Sequence, residues 1–236
     1  MALRYQDDPR KGVQHALKSA IRQEQLRKKE SLRLDGLYSR LDQAPPQATI
    51  VGLDEVGRGA LAGPLLFAAV VLPPHPRIEG LDDSKRLTAR QREVLSTKIT
   101  ELAAYIGFGW VEASDINRFG MAAALRQAAH LALSGLEPEP DLVLLDGRPL
   151  GIHPRETAIV HGDASEAAIA AASIVAKVAR DAFMTAAAAD YPGYGLAANK
   201  GYASAEHIAA LRSLGPSAIH RLGFCEEILG DQQRLF

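Results

Sequence analysis

Cysteine is almost missing from this sequence: Cys225 is the only one among 236 residues. A single thiol can close neither an internal disulfide nor a cysteine-based zinc cluster, and no histidine spacing compensates. Any bound metal must then use oxygen ligands. Long apolar runs are missing as well. The alanine-rich stretch around Ala170 is broken by Lys177, Arg180 and Asp181, short of the roughly 18 apolar residues that a membrane helix needs. The first residues are polar, with Asp7 and Asp8 and no apolar segment of a secretory signal, so a cytoplasmic location without a membrane span is expected. An excess of one charge is lacking too, the formal net charge being −1. That total excludes no partner, because nucleic-acid binding needs a local positive surface that a near-neutral sum can hide. What is present is an apolar share of 47% beside 23% charged residues, the balance of a folded globular protein.

Residues 1–48 stand apart as a charged extension with ten Lys/Arg against six Asp/Glu. A helix is expected over Ala16 to Arg40, with Leu17, Ile21, Leu32, Leu34, Leu37 and Leu41 as its apolar positions and Pro45 and Pro46 ending it. It reads either as a solvated helix leaning on the core or as an arm contacting phosphates. From Ala48 the pattern becomes strand, turn, strand: apolar runs Ala48 to Leu53 and Leu65 to Leu72, with Gly57, Gly59, Gly63 and Pro64 between them. A helix over Thr88 to Glu101, a strand over Ala103 to Val111, a helix over Gly120 to Ser134 and a strand over Leu142 to Leu145 follow. A long helix is expected over Glu166 to Ala189, then shorter ones over Ser204 to Leu214 and near Cys225 to Leu229. This order implies a mixed α/β layer fold, divided into the extension, a catalytic domain over 49–190 and a helical subdomain over 191–236.

Three strings carry chemistry. In Gly52-Leu53-Asp54-Glu55-Val56-Gly57-Arg58-Gly59 a carboxylate pair closes an apolar strand. Buried carboxylates need a partner, and either Arg58 or a divalent cation can serve. Neighbouring strand residues point to opposite faces, so a shared ion requires a twist, bulge or strand end there. In Asp141-Leu142-Val143-Leu144-Leu145-Asp146-Gly147 a second apolar strand ends the same way, although Asp-Gly after a strand is also an ordinary turn. Asp54, Glu55 and Asp146 converging at one sheet edge would suit Mg²⁺ or Mn²⁺. In Ala171 to Asp181, residues Ser173, Lys177 and Asp181 recur every four positions on one helix face, which meets either the site or solvent. Asp163, in His161-Gly162-Asp163, is either a helix cap or a further carboxylate of the site.

Together these strings resemble the ribonuclease HII family. The matching residues are Gly52 to Gly59 with Ala62-Gly63-Pro64, Asp83-Ser84-Lys85, Asp146-Gly147, Gly162-Asp163, Ala171 to Asp181, and Asn199-Lys200-Gly201-Tyr202 with His207. They run in family order from about Val51 to Leu222. The resemblance implies a ribonuclease H-like mixed β-sheet flanked by helices with a C-terminal helical extension. It implies metal binding by Asp54, Glu55 and Asp146, with Asp181 as the fourth catalytic carboxylate and Asp163 as the competing assignment. The family's usual basic ending is altered at His220-Arg221-Leu222-Gly223-Phe224, and residues 1–48 fall outside the resemblance.

The implied activity is metal-dependent hydrolysis of RNA paired with DNA, and incision 5′ of single ribonucleotides embedded in duplex DNA, leaving 3′-hydroxyl and 5′-phosphate ends. Such activity serves primer removal and ribonucleotide excision repair. Two Mn²⁺ or Mg²⁺ ions are expected with substrate bound, on a monomer. Reading a 2′-hydroxyl requires donors and acceptors close to the sugar. The Gly57-Arg58-Gly59 turn permits that approach, and by resemblance Tyr202 stacks on the sugar beside it. Lys85, Lys177 and Lys200 are candidates for phosphate contacts. A dinucleotide-binding protein is excluded by the charge of Asp54 and Glu55 where a pyrophosphate would lie. A non-catalytic nucleic-acid module would favour lysines over clustered acids.

Overall fold

The computed structural model describes residues 10–230. The polar start with Asp7 and Asp8, and the last six residues of the C-terminal segment, lie outside them. A 27-residue helix, α1 (Lys11–Leu37), is followed by a short α2 (Ser39–Gln43). The helix starts earlier than expected and breaks at Tyr38. Of its expected apolar face only Leu34 and Leu37 are buried, joined by Leu41 of α2, whereas Ile21 and Leu32 are exposed. The anchoring end packs through Tyr38, whose hydroxyl accepts the Ile78 amide at 3.1 Å.

The remainder is one five-stranded sheet with helices on both faces. Strands β1 (Ile50–Val56) and β2 (Leu65–Val71) pair antiparallel, and α3 (Ala89–Leu102) leads to β3 (Tyr105–Val111) on the outer side of β2. Thr88 and Gln91 start α3 with a reciprocal capping box. After α4 (Ala113–Phe119) and α5 (Met121–Leu133), β4 (Leu142–Asp146) enters parallel to β1, and β5 (Glu156–Ile159) runs parallel to β4. The order β3-β2-β1-β4-β5 makes β1 the central strand. A one-turn helix α6 (Gly162–Ser165) then leads into α7 (Ala167–Ala187), and α8 (Leu196–Asn199), α9 (Ala205–Leu214) and α10 (Leu222–Gly230) follow. No helix among the described residues is long and apolar enough to cross a membrane.

Strand alternation sorts the core into two layers. Ile50, Leu66, Ala68 and Leu144 pack with α7, while Val51, Leu53, Phe67 and Val143 pack with α5. The alanines of α7 explain how close the first layer lies. Every residue from Ala167 to Ala176 is buried, and a Cβ on Gly52 would stand 2.2 Å from the backbone carbon of Ala168. The helix therefore rests directly on the central strand. A third cluster joins Leu61 and Ala62, from the β1–β2 connection, to Met184, Leu196, Leu211 and Ile219, so the C-terminal helices hold that connection in place.

The short turns α4, α6 and α8 and the edge strand β5 were not expected from the sequence, being too brief to carry a periodic pattern. Gly52→Ala is expected to destabilise the protein by about 2–3 kcal/mol, the scale of overpacking in a filled core. Urea unfolding should show it as a lower midpoint at unchanged slope.

Candidate metal centre and active site

The parallel pairing of β1 and β4 delivers the first two carboxylates. Its register sets Leu53 beside Leu145, so the next residues, Asp54 and Asp146, leave the sheet side by side on the face covered by α7. The sequence reading had the Asp54-Glu55 pair close its strand; β1 instead continues to Val56. The third carboxylate comes from α6. Gly162 donates its amide to Asp146 Oδ1 at 2.7 Å, which fixes the turn, and Asp163 follows directly. One carboxylate oxygen from each of Asp54, Asp146 and Asp163 lies within 4.8 Å of the others.

Such a cluster is unfavourable without a cation. Asp54 and Asp163 are 5% and 3% exposed, and among the described residues neither Asp54 nor Asp146 has a basic ion-pair partner. Burial, then the neighbouring Glu55, push the Asp54 carboxyl well above the usual carboxylate range against a Ser173 hydrogen bond that lowers it, and Asp146 and Asp163 add to the rise. Burial also raises Glu55, opposed by Arg58, 3.5 Å away. Burial raises Asp163, opposed by Lys85 at 3.1 Å. An all-oxygen set of convergent carboxylates, mostly without protein counter-charge, fits a hard divalent cation. Glu55 stands outside the cluster of three but lines the same cavity, of about 410 Å³.

That cavity also gathers the residues expected to read the substrate. Gly57, Arg58 and Gly59 line one wall, and Ser173, Lys177 and Tyr202 line another. The turn opens at Gly57 with φ +87°, a conformation that disfavours a side chain, and its amide donates to the Tyr202 hydroxyl at 3.2 Å. Ser173 is buried behind Asp54, its hydroxyl 2.8 Å from that of Ser84. Lys177 Nζ lies 5.5 Å from the Tyr202 ring centre.

Two expected residues are placed elsewhere. Asp181 lies two helical turns beyond Ser173, about 12 Å along α7, where it accepts from Lys177 at 2.9 Å and lines a neighbouring cavity with Lys200. Lys200 bonds back to the Ala197 carbonyl at 2.7 Å and to Thr185. Thus the structure brings Asp163, and not Asp181, to Asp54 and Asp146. Lys85 and Lys177, expected to contact phosphates, both sit at the cavity but bond to carboxylates.

The sequence reading missed two buried arginines. Arg180 donates to the carbonyls of Pro64, Ala62 and Lys200 at 2.8, 3.0 and 2.9 Å. Arg221 donates to the carbonyls of Gly63, Gly57 and Arg58. They brace the glycine turn from behind, although no carboxylate pairs with either among the described residues. Burial, then Arg180, hold Arg221 at about 9. Arg221 lies in the C-terminal stretch whose departure from the family ending weakened any role for it; the structure gives that stretch a buried role. Arg92 was missed too; it lines the cavity and donates to the Ser84 and Leu87 carbonyls.

Comparison with known proteins completes this picture. The pattern that defines ribonuclease HII matches residues 51–227. The chain belongs to the ribonuclease HII family. The ribonuclease HII of Moorella thermoacetica is 48% identical over 198 residues, covering 83% of this chain and 96% of that one. The ribonuclease HII of Geobacillus thermodenitrificans is 42% identical over 229 residues, covering 95% and 88%. Among solved structures, the ribonuclease H2 of Pyrococcus horikoshii superimposes with a TM-score of 0.64 at 25% identity, over 79% of this chain and 99% of that one. A ribonuclease HIII in complex with Mn²⁺ shares the fold, with a TM-score of 0.59 at 19% identity over 82% and 73%. As a ribonuclease HII the protein is a metal-dependent hydrolase with ribonuclease H activity on RNA/DNA, and the ribonuclease H-like mixed sheet expected from the sequence is the one observed. One expectation is corrected: the ribonuclease HII N-terminal domain pattern matches residues 1–39, so the charged extension belongs to the resemblance.

The electrostatics of the cluster give a stability prediction. Because Asp54 has a folded-state pKa above its unfolded value, its ionisation destabilises the folded protein once pH rises above the ordinary carboxylate range. Without divalent cations, Asp54→Asn is therefore expected to melt higher than the parent at neutral pH. The gap should shrink as pH falls toward about 4, near the unfolded carboxylate value. Equal melting temperatures throughout, in EDTA, would contradict the buried charge.

Proposed function

We propose that this chain cuts the RNA strand of RNA/DNA hybrids and incises 5′ of single ribonucleotides in duplex DNA, leaving 3′-hydroxyl and 5′-phosphate ends. The carrying observation is that Asp54, Glu55 and Asp146 line the same cavity as the Gly57-Arg58-Gly59 turn and Tyr202. The cation set is Asp54, Glu55, Asp146 and Asp163, four carboxylates suited to two Mg²⁺ or Mn²⁺ ions. Asp163 takes the fourth place because it adjoins Asp54 and Asp146, whereas Asp181 is engaged with Lys177 farther along α7. Bound there, the cations supply charge neutralisation at the scissile phosphate and acidify water for attack at neutral pH.

The protein's own groups supply orientation and selection. Arg58, exposed at the cavity mouth and only loosely paired with Glu55, can reach a phosphate. The glycines flanking it let backbone groups approach a ribose, where a 2′-hydroxyl can both donate and accept. Tyr202 places its ring against that sugar, with its hydroxyl already tied to the turn. A deoxyribose in the same place leaves the polar groups that would bind the 2′-oxygen unmatched, the stronger of the two kinds of discrimination. Lys177 stands beside the Tyr202 ring as a further positive charge facing the cavity. The Ser173 hydroxyl, hydrogen-bonded to the buried Asp54 carboxylate, holds that carboxylate at the cavity. A binding-only role is disfavoured by the cluster itself, since buried acids repel a phosphate backbone unless cations intervene.

Two measurements test this reading. Asp54→Asn, Asp146→Asn and Asp163→Asn are each expected to lower cleavage more than about 100-fold, beyond the 10- to 100-fold typical of groups that merely orient a metal ligand, with substrate affinity retained. Asp181→Asn should stay within about threefold of the parent, close to the small effect of losing an exposed helix pair. A crippled Asp181→Asn beside an active Asp163→Asn would reverse the assignment. In the second measurement, a duplex with one embedded ribonucleotide is incubated with Mg²⁺ or Mn²⁺ or with EDTA, and the ends are mapped. The break should fall 5′ of the ribonucleotide and yield a 3′ end that a polymerase extends; cleavage in EDTA, or on the other side, would overturn the proposal.

A further inference from the structure

Tyr202 and the glycine turn face each other across the cavity, and a pair of groups outside the catalytic reading lies behind them. His207 of α9 and His220, just before α10, both have no solvent exposure, and their Nε2 atoms face each other at 3.1 Å. Two imidazole nitrogens at that distance share one proton, since a proton on each would set two N–H groups head to head. The backbone decides which ring carries it. His220 Nδ1 receives the Ser217 amide at 3.0 Å, and an amide only donates, so that nitrogen is bare and the His220 proton sits on Nε2. His207 Nε2 must therefore accept. This leaves the His207 proton on Nδ1, where the Tyr202 carbonyl lies at 2.9 Å. The Ser217 hydroxyl, 2.8 Å from His220 Nδ1, fits as a second donor. An amide at one end and a carbonyl at the other thus fix opposite tautomers and exclude the charged form of either ring. In agreement, burial and the adjacent His207 bring the His220 imidazole down to about 4.

One end of this chain of bonds reaches a wall of the cavity through Tyr202, and the backbone at His220 reaches the other. At one end, the Tyr202 carbonyl is held by His207 while the Tyr202 hydroxyl accepts from Gly57 at 3.2 Å. At the other, His220 bridges to Ala62 in the β1–β2 connection, and the next residue, Arg221, grips the Gly57 and Arg58 carbonyls. The His220 carbonyl is itself tied to Asn117 at 3.1 Å, and the Tyr194 ring packs against the His220 ring, tilted, with centroids 4.6 Å apart. Neither imidazole lines the cavity.

We propose that His207 and His220 are positioning residues for ribonucleotide recognition: a neutral pair of opposite tautomers that sets the spacing between Tyr202 and the Gly57-Arg58-Gly59 turn. This rests on reading that cavity as the place where the ribose is recognised. The histidines act through Tyr202 and Arg221, not on the substrate.

The test has two arms on the full chain. In the first, imidazole nitrogen NMR of the unaltered protein at neutral pH should show Nδ1–H on His207 and Nε2–H on His220. Identical tautomers, or a charged ring, would overturn the proposal whatever the variants do. In the second, cleavage kinetics on a duplex with one ribonucleotide compare His207→Gln, His220→Asn, Tyr202→Ala and the His207→Gln/Tyr202→Ala double variant. Each histidine substitution is expected to raise KM about tenfold and leave kcat within about twofold. Adding His207→Gln to Tyr202→Ala should cost nothing further, because the group it positions is gone. Losses that multiply in the double variant would show that the histidines do not act through Tyr202. If Tyr202→Ala itself cleaves as the parent does, the failure lies with the ribose reading, and the proposal falls with it.

Discussion

The structure depends on the parallel pairing of β1 with β4. That register alone sets Asp54 beside Asp146, and it does so at a depth where Asp54 is 5% exposed. Like charges held in that way repel, and burial raises the penalty. The arrangement persists because the support is stiff. The central strand is hydrogen-bonded on both sides, and α7 lies so close that Gly52 has no room for a Cβ. The alanines of α7 are part of the electrostatics in this sense, since only a thin helix can sit on the strand and bring Ser173 to Asp54. Rigid packing holds the unfavourable cluster together, and a divalent cation turns that cost into affinity.

The second wall of the cavity is built on a different principle. A glycine turn has little packing of its own, so its shape must come from hydrogen bonds to the carbonyls behind it. Arg221 supplies those to Gly57 and Arg58, and Arg180 fixes Ala62 and Pro64 farther along the same connection. Burying two guanidinium groups without a carboxylate is costly, and the offset is the set of backbone carbonyls each one meets. Because Arg180 belongs to α7 and Arg221 to the C-terminal stretch, the turn is fixed only once both have docked. The C-terminal helices therefore contribute to the site without lining its floor.

These two principles explain what the sequence disclosed. Strands β1, β2 and β4 and helices α3, α5, α7 and α9 were legible within a few residues because each carries a periodic or continuous apolar pattern. Asp54, Glu55 and Asp146 stood out as candidates because a carboxylate late in an apolar strand is anomalous on its face. The choice between Asp163 and Asp181 was not legible. It depends on how far along α7 the sheet edge falls, a packing distance with no local trace. Asp163 had the weaker local signal, one residue of a four-residue turn, yet the Asp146-to-Gly162 bond draws it in. Arg180 and Arg221 were invisible for a related reason: an arginine in a sequence reads as surface charge, and nothing local marks the one whose partners are mostly carbonyls from distant parts of the chain. Lys85 and Lys177 were read as candidates for phosphate contacts, and the structure engages both with aspartates.

A division of labour follows from the supports themselves. Asp54 and Asp146 stand on the sheet, whose geometry is set by strand register and core packing, and Asp163 stands on the α6 turn that is bonded to it. The turn and Tyr202 stand on hydrogen bonds that cross between α7, the β1–β2 connection and the C-terminal segment. A change in the C-terminal segment can therefore shift the turn and Tyr202 while leaving Asp54 and Asp146 where they are, whereas a change beneath β1 disturbs both. The carboxylates and the turn share one cavity but not one foundation, and neither foundation was fully written in the local pattern of the strands.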